Sequence, residues 1–472
     1  MLEITINGKK YQVEKNQTIL QAAQKCGVDI PHFCYHPCLS IAGNCRICLV
    51  KVEGWGDLTL SCLNTVVNDM KIDTECEEVL EARKSVMQFL TLNHPVDCGV
   101  CDKSGECLLQ DHHFSHNGEK SLSVEPKNHQ TKFYEVSERI LLDNERCIVC
   151  GRCVRFMDEV SKSHALSILK RGDQAIVRRI DPHTPLVDAY SDNIIDICPV
   201  GALLSKDFLY KDRVWFLKDT QSICPGCDRG CQIKIWSRKN EFKLKKLDYK
   251  NNQIARITPQ ISPEINGHWI CNKARDLDVF FKRPRLSSSQ VQGRDVSFDN
   301  ALKKIQELLS KSKKTAFIVS SWGSNEEFIE LQTHFPNEFE YYVKDDILPS
   351  NDEIIEDQFL IRKNKNPNRF SAVKLFGSKD FPRGELFDLV IIWGEGFDLN
   401  LLDNSTRIIQ FTNYTDNVSK KALVLIALST MLERNGHYTN GLGVTSPFQK
   451  IFDPPSGVVH AVDLFKELRK IL

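Results

Sequence analysis

Residues 146–160 read RCIVCGRCVRFMDEV, and residues 195–206 read IDICPVGALLSK. The first stretch places Cys147, Cys150 and Cys153 in a C-x2-C-x2-C run, and the second supplies Cys198 followed by Pro199. Thiolates are soft ligands that select zinc, copper(I) or iron–sulfur clusters. Three of them two residues apart, with a Cys-Pro to close the set, match the run that holds an iron–sulfur cubane. In two-cluster proteins a fourth cysteine follows after three more residues and serves the second cluster. Here that position is Met157, and the 44 residues between Cys153 and Cys198 contain no second CxxC. The stretch therefore predicts a two-cluster module, over 138–212, that retains one [4Fe–4S] cluster.

The same chemistry recurs on both sides. Upstream lies Cys34-x10-Cys45-x2-Cys48-x13-Cys62, a cysteine loop with a fourth ligand from a later turn, which suits a buried [2Fe–2S] rhomb. Gly43 lets the backbone pass close to that cluster. The plant-type run has only four residues before its CxxC, so the spacing departs from it; Cys38 is a rival to Cys34, and a structural zinc is the alternative metal. Next comes His94-x3-Cys98-x2-Cys101-x5-Cys107. Its three thiolates hold three corners of a cubane, and His94 is the nearby candidate for the fourth. The competing reading is an open iron that binds substrate. A ligating imidazole keeps its other ring nitrogen for a bond that orients it. Downstream, Cys224-x2-Cys227-x3-Cys231 is closed by Cys271. This predicts a third [4Fe–4S] cluster, with a four-cysteine zinc ribbon as the alternative. Lys273 and Arg275 beside it would favour its reduced state. Fifteen of the 18 cysteines and one histidine thus form four sets of four, all before residue 272, leaving Cys26, Cys38 and Cys76 as ordinary thiols.

The 62 basic and 62 acidic residues balance, so no strong field favours nucleic acid or anionic lipid. The opening MLEITINGKKYQV lacks the basic and apolar regions of a signal peptide and reads as mature structure. So many cysteines without an export signal imply a reducing compartment, where CxxC runs are metal or redox sites. The longest apolar runs, near 389–393 and 422–428, are too short to span a bilayer, so a membrane link would go through a partner.

A chain of 472 residues predicts about three to five domains. Strands over 2–6 and 10–13 joined by Asn7-Gly8 read as a hairpin, and Thr18 caps a short helix, ILQAAQKC. With the cysteine loop, these predict a small β-grasp domain. Residues 79–92 have helical periodicity. Beyond 273, Ser297 caps the helical stripe FDNALKKIQELL. Strands at 315–321 and 387–395, with helices near 325–335 and 420–434, predict an α/β layer structure; 350–385 is ambiguous. Trp393-Gly394-Glu395-Gly396 is a lone GxG that reads as a strand-end turn, and no Rossmann or P-loop fingerprint is present.

The motifs IPHFCYHPCLSIAGNCRICLV, LNHPVDCGVCDKSGECLLQD, RCIVCGRCVRFMDEV and IDICPVGALLSK, in this order, resemble the large iron–sulfur subunit (75 kDa subunit) family of respiratory complex I, NADH:quinone oxidoreductase. The resemblance covers nearly all of 1–212 and implies His94 as a ligand. SICPGCDRGCQIKIW through HWICNKARD resembles the entrance cluster of molybdopterin oxidoreductases, kept by some members of the family, mostly bacterial, and regarded as off the main electron path. RPRLSSSQ, FDLVIIWGE and MLERNGHYTNGLGVTSPF echo a much shortened molybdopterin domain. The tail has no cysteine for molybdenum, and no molybdopterin is expected.

The resemblance thus implies an α+β multidomain chain. A β-grasp [2Fe–2S] ferredoxin-type domain spans 1–78, a one-His/three-Cys [4Fe–4S] module 79–118 and a bacterial-ferredoxin-like [4Fe–4S] module 138–212. A molybdopterin-oxidoreductase-type cluster domain spans 217–273, and a truncated α/β structural remnant 274–472. The implied function is electron transfer, through one [2Fe–2S] and three [4Fe–4S] clusters, from a flavin-bearing, NADH-oxidising partner subunit towards quinone-side iron–sulfur subunits. The chain would lie on the cytoplasmic side of the bacterial inner membrane, held there by its partners, with no nucleic acid and no substrate site of its own. Rival readings are an electron-transfer subunit of a soluble NAD-linked hydrogenase or formate dehydrogenase, and a zinc-stabilised scaffold.

Overall fold

A computed structural model describes residues 1–122, 124–239, 254–277, 281–345, 356–384 and 386–471. The chain divides into two units, Met1–Leu217 and Lys218–Leu472.

The first unit opens with β1 (Leu2–Ile6) and β2 (Lys9–Val13), paired so that Ile6 faces Lys9. Asn7 and Gly8 both take positive φ, 49° and 78°, the backbone that a two-residue hairpin needs to match strand twist. With β3 (Leu49–Val52), β4 (Thr59–Leu60) and β5 (Met70–Asp73) they form a five-stranded sheet of order β2-β1-β5-β3-β4. β1 and β5 run parallel. Helix α1 (Ile19–Lys25) starts at a reciprocal capping box between Thr18 and Gln21. Its buried Ile19, Leu20, Ala22 and Ala23 join Ile4, Ile6, Val50 and Ile72 in one core. Cys48 and Cys62 belong to that same core.

Helix α2 (Glu77–Leu92) begins two residues earlier than its periodicity indicates and packs against α3 (Leu108–His116). Next come β6 (Tyr134–Glu135), β7 (Ile140–Leu142), α4 (Arg152–Glu159), the hairpin β8 (Leu166–Leu169) and β9 (Ile176–Arg179), α5 (Asn193–Ile197) and β10 (Leu203–Ser205). β10, β7 and β6 form a small sheet. α4 and α5 pack together, so residues some forty positions apart meet at one place.

The second unit carries two architectures. β11 (Leu217–Ile223), β12 (Gln232–Arg238) and β13 (Ile254–Pro259) make a three-stranded sheet. A seven-stranded sheet follows, from β14 (Ser289–Val291), β15 (Arg294–Val296), β16 (Thr315–Ser320), β17 (Glu340–Lys344), β18 (Leu389–Trp393), β19 (Arg407–Thr412) and β20 (Val424–Ala427), in the order β15-β14-β20-β19-β18-β16-β17. β16 to β20 are parallel. Taken in chain order, these five have the 2-1-3-4-5 arrangement of a doubly wound sheet. Phe317, Val319, Ile391 and Phe411 face helices Phe298–Ser310, Asn325–His334 and Ala461–Ile471, whereas Ala316, Ile318, Val390 and Ile392 line the opposite core. Ser297 and Ser324 cap their helices through their hydroxyls.

One expectation is overturned. The apolar run expected to be helical near 420–434 is instead strand β20, followed by a 3-10 turn at Met431–Glu433. Val424 and Ile426 enter the core on one face, and Leu425 and Ala427 the core on the other. A strand buried on both faces reads as a continuous apolar run, which periodicity does not separate from a buried helix. Of the ambiguous 350–385, residues up to 355 and residue 385 lie outside the described residues; the remainder contains one helix, Arg369–Phe376. Gly394 and Gly396, with φ 86° and 75°, turn the chain out of β18, as the strand-end reading requires. Ile426 is fully buried. Ile426→Ala is expected to lower the unfolding free energy by about 2–5 kcal/mol, measurable by denaturant titration of the second unit's transition.

Candidate metal centres

The first ligand set hangs from the five-stranded sheet. Cys34, Cys45 and Cys48 lie on the loop between α1 and β3, and Cys62 follows β4. Cys34, Cys48 and Cys62 are buried and Cys45 is half-buried. The Cys34 amide donates to Cys45 Sγ at 3.5 Å. A thiol hydrogen bond from Cys45 holds the Cys34 thiol down at about 5, and one from Cys62 holds Cys48 at about 7; both partner thiols are pushed up. The thiols of Cys34 and Cys45 thus interact, as do those of Cys48 and Cys62. Cys38 stands apart: it is exposed, and its amide bonds to His36 Nδ1 at 3.2 Å.

The second set begins just beyond α2. His94 Nδ1 donates to the carbonyl of Pro95 at 2.9 Å, which leaves Nε2 for another role. Burial depresses His94 to about 4, so its imidazole is neutral at ordinary pH, the form that binds metal. Cys101 and Cys107 are buried, Cys98 is exposed, and Cys107 sits immediately before α3. Burial raises the thiols of Cys101 and Cys107, and the charge of Cys101 adds to the rise at Cys107.

In the third set, Cys147, Cys150, Cys153 and Cys198 line one cavity together with Leu142, Ile148 and Val177. Val149 carries φ 52°, a left-handed conformation that costs a β-branched residue about 1–3 kcal/mol. The turn aims its amide at Cys147 Sγ, 3.4 Å away. Burial pushes Cys147 up to about 12, Cys150 up to about 11, and Cys153 well above its ordinary value. Cys198 caps the end of α5.

The fourth set is assembled from both ends of the loop that joins β11 to β12 and from a distant loop. The Cys224 amide donates to the Cys231 carbonyl at 2.8 Å, where β11 passes into β12. Cys271 precedes a 3-10 turn, Asn272–Arg275. Its thiol, raised to about 11 by burial, feels Cys227, and Cys224 and Cys231 both feel Cys271. The structure therefore brings Cys271 to the other three across 39 intervening residues. Arg275 opposes the rise at Cys271, as expected of a cation beside the cluster.

Among the described residues, no three His, Cys, Asp or Glu side chains converge as the ligands of a single metal ion. The donor chemistry fits clusters: the thiols that burial raises become thiolates only when a cation compensates them, which iron would supply. His94 is neutral, and its Nδ1 is the nitrogen engaged by the Pro95 carbonyl.

Spacing gave no warning of the residues that join the sets. A Cβ at Gly201 would lie 2.1 Å from Cys101 Sγ, so the segment that carries Cys198 also shapes the second site. The Leu108 amide donates to the Pro199 carbonyl at 3.0 Å. Arg155 donates to the Cys34 carbonyl at 2.6 Å, and Arg152 to those of Tyr35 and Ile197 at 2.6 and 3.1 Å. The third set thus adjoins both the first and the second.

Family models match four stretches in register with this geometry. They are the 2Fe-2S iron-sulfur cluster binding domain over 1–77, the NADH-ubiquinone oxidoreductase-G iron-sulfur binding region over 83–121, the ferredoxin-like domain of NADH-quinone oxidoreductase subunit 3 over 137–204, and the molybdopterin oxidoreductase Fe4S4 domain over 217–281. The mitochondrial NADH dehydrogenase [ubiquinone] iron-sulfur protein 1 of Solanum tuberosum is 37% identical, covering 66% of this chain and 41% of its own length. The NADH-ubiquinone oxidoreductase 75 kDa subunit of Reclinomonas americana is 34% identical over 86% of this chain and 58% of its own. The chain belongs to the 75 kDa iron–sulfur subunit family of NADH:quinone oxidoreductases. It spans about half the length of the curated relatives it matches. A solved chain of an NAD+-reducing [NiFe]-hydrogenase in the H2-reduced state is 30% identical, covering 45% of this chain and 91% of that one, with a TM-score of 0.41.

Gly201→Ala places a methyl against Cys101 Sγ. The expected outcome is loss or distortion of the cluster signal from the Cys98 set in low-temperature EPR, with about 1–3 kcal/mol of destabilisation from overpacking. An unchanged spectrum would count against Gly201 shaping that site.

Proposed function

We propose that this chain is an iron–sulfur electron-transfer subunit of an NADH:quinone oxidoreductase, relaying single electrons between partner subunits. The observation that carries the reading is the adjacency of the sets in Met1–Leu217: the Cys147 set touches the Cys34 set through α4 and the Cys98 set through Pro199 and Gly201. That order suits a relay entering at the [2Fe–2S] site or the Cys147 set and leaving by the His94 set. Bound clusters would each accept and return one electron. The chain's own part is to bury the sulfurs, fix their separations and set their potentials through ligand type, hydrogen bonds and charge.

On this reading the donor is a flavin-bearing, NADH-oxidising subunit and the acceptor a quinone-side iron–sulfur subunit. Among the described residues no helix is long and apolar enough to cross a membrane. Attachment to the cytoplasmic side of a bacterial inner membrane would come through partners. The modules take the boundaries 1–78, 79–118, 138–212, 217–273 and 274–472, the last being structural. In that tail the crevice at the carboxyl ends of β16 and β18, where doubly wound sheets bind ligands, is lined by Ser320, Trp322, Trp393, Gly394 and Glu395. Arg283 pairs with Glu395 through two bonds of 2.8 and 3.1 Å, and Gln410 donates to the Gly394 carbonyl at 3.0 Å.

Anaerobically purified protein is expected to hold one [2Fe–2S] and three [4Fe–4S] clusters, about 14 iron per chain, with matching acid-labile sulfide. Zinc with little iron would defeat the reading. His94→Cys is expected to retain a cluster with a lowered reduction potential, since an anionic thiolate replaces a neutral imidazole. An unchanged potential and EPR signal would remove His94 from the ligand set.

A further inference from the structure

Several arginines lie against the ligand sets of the first unit, and three of them differ in their surroundings. Arg146 is paired with carboxylates, Asp97 at 3.0 Å and Asp143 at 3.2 Å. Arg155 is partly exposed and braces the loop after Cys34, donating to the carbonyls of Cys34, Ser40 and Cys150. Arg152 is 7% exposed and, among the described residues, has no carboxylate partner. Its Nη2 donates to the Tyr35 carbonyl at 2.6 Å and its Nη1 to the Ile197 carbonyl at 3.1 Å. Tyr35 follows Cys34, and Ile197 precedes Cys198, so one guanidinium spans the backbones of two ligand sets.

A buried cation is costly unless an anion faces it. The two carbonyls it bonds are neutral, so they orient the guanidinium without balancing its charge, and they adjoin Cys34 and Cys198, one residue from each set. The anions its position offers it are the two ligand sets themselves. Each reduction adds one electron, and so one negative charge, to a cluster on either side of it. A fixed cation there stabilises that added charge without a proton or ligand having to move. Because it is buried, salt screens it little.

We propose that Arg152 is the shared counter-ion of the Cys34 and Cys147 sets, a positioning residue that raises the reduction potentials of both clusters together. The proposal rests on the electron-transfer reading and adds to it the residue that couples its first two centres.

The test is an anaerobic redox titration of the cluster-loaded full chain followed by EPR, for wild type, Arg152→Gln and Arg152→Lys. Arg152→Gln retains a donor but no charge. It is expected to lower the reduced-to-oxidised ratio of both clusters at a fixed poise about tenfold, ~59 mV for a one-electron couple, with a smaller change in the His94 set. Arg152→Lys keeps the charge and loses the fork, and is expected to hold both ratios within about threefold of wild type. Unchanged potentials in Arg152→Gln, or equal drops in both variants, would overturn the proposal. If Arg152→Gln loads neither cluster, Arg152→Lys decides: near-native potentials sustain the counter-ion role and a tenfold drop ends it. Absence of both signals from the wild type would instead sink the electron-transfer reading itself.

Discussion

Keeping sulfur anionic inside a protein is the constraint on which the rest of this chain depends. Burial raises thiols in each of the last three sets, to about 11 or 12 at Cys147, Cys150 and Cys271. Thiolate in such places requires positive charge and amide donors close by. Much of the local structure answers that need: the strained turn at Val149 that points an amide at Cys147, the bond from the Cys34 amide to Cys45, and the arginines of α4.

The two units meet this constraint on different scaffolds. In the first, two of the Cys34-set sulfurs lie within the hydrophobic core of the sheet itself, so apolar packing and ligand placement are one problem. In the second, the ligands gather where β11 turns into β12 and at Cys271. The doubly wound sheet beyond them is stabilised by conventional burial on both faces. Its cysteine-free sequence follows from that division of labour. Helices packed on parallel strands need no metal to fold.

Much of the fold was legible locally. Asn7-Gly8, Thr18, Ser297 and the strands near 315 and 389 announced themselves because turn backbone, capping and short-range periodicity are set by adjacent residues. The misreading at 422–428 has a physical cause too. ALVLIAL is apolar at every position because both faces of β20 are covered, and nothing within seven residues says what covers them. Gly201 was equally silent, since the sulfur that excludes a side chain there lies a hundred residues earlier.

Candidate ligands could be named from the sequence alone. Coordination chemistry depends on residue type and on short spacings such as C-x2-C, so four groups of sulfur and imidazole donors could be named before the fold was known. Their arrangement in space could not. The contact between Arg152 and Tyr35 joins positions 117 residues apart, and no periodicity encodes a pairing at that range. The chain runs from the Cys34 set through the His94 set to the Cys147 set, yet in space the Cys147 set adjoins both others. Only packing α4 and α5 against the two neighbouring loops could decide that, because adjacency between centres arises from long-range burial and not from order along the chain.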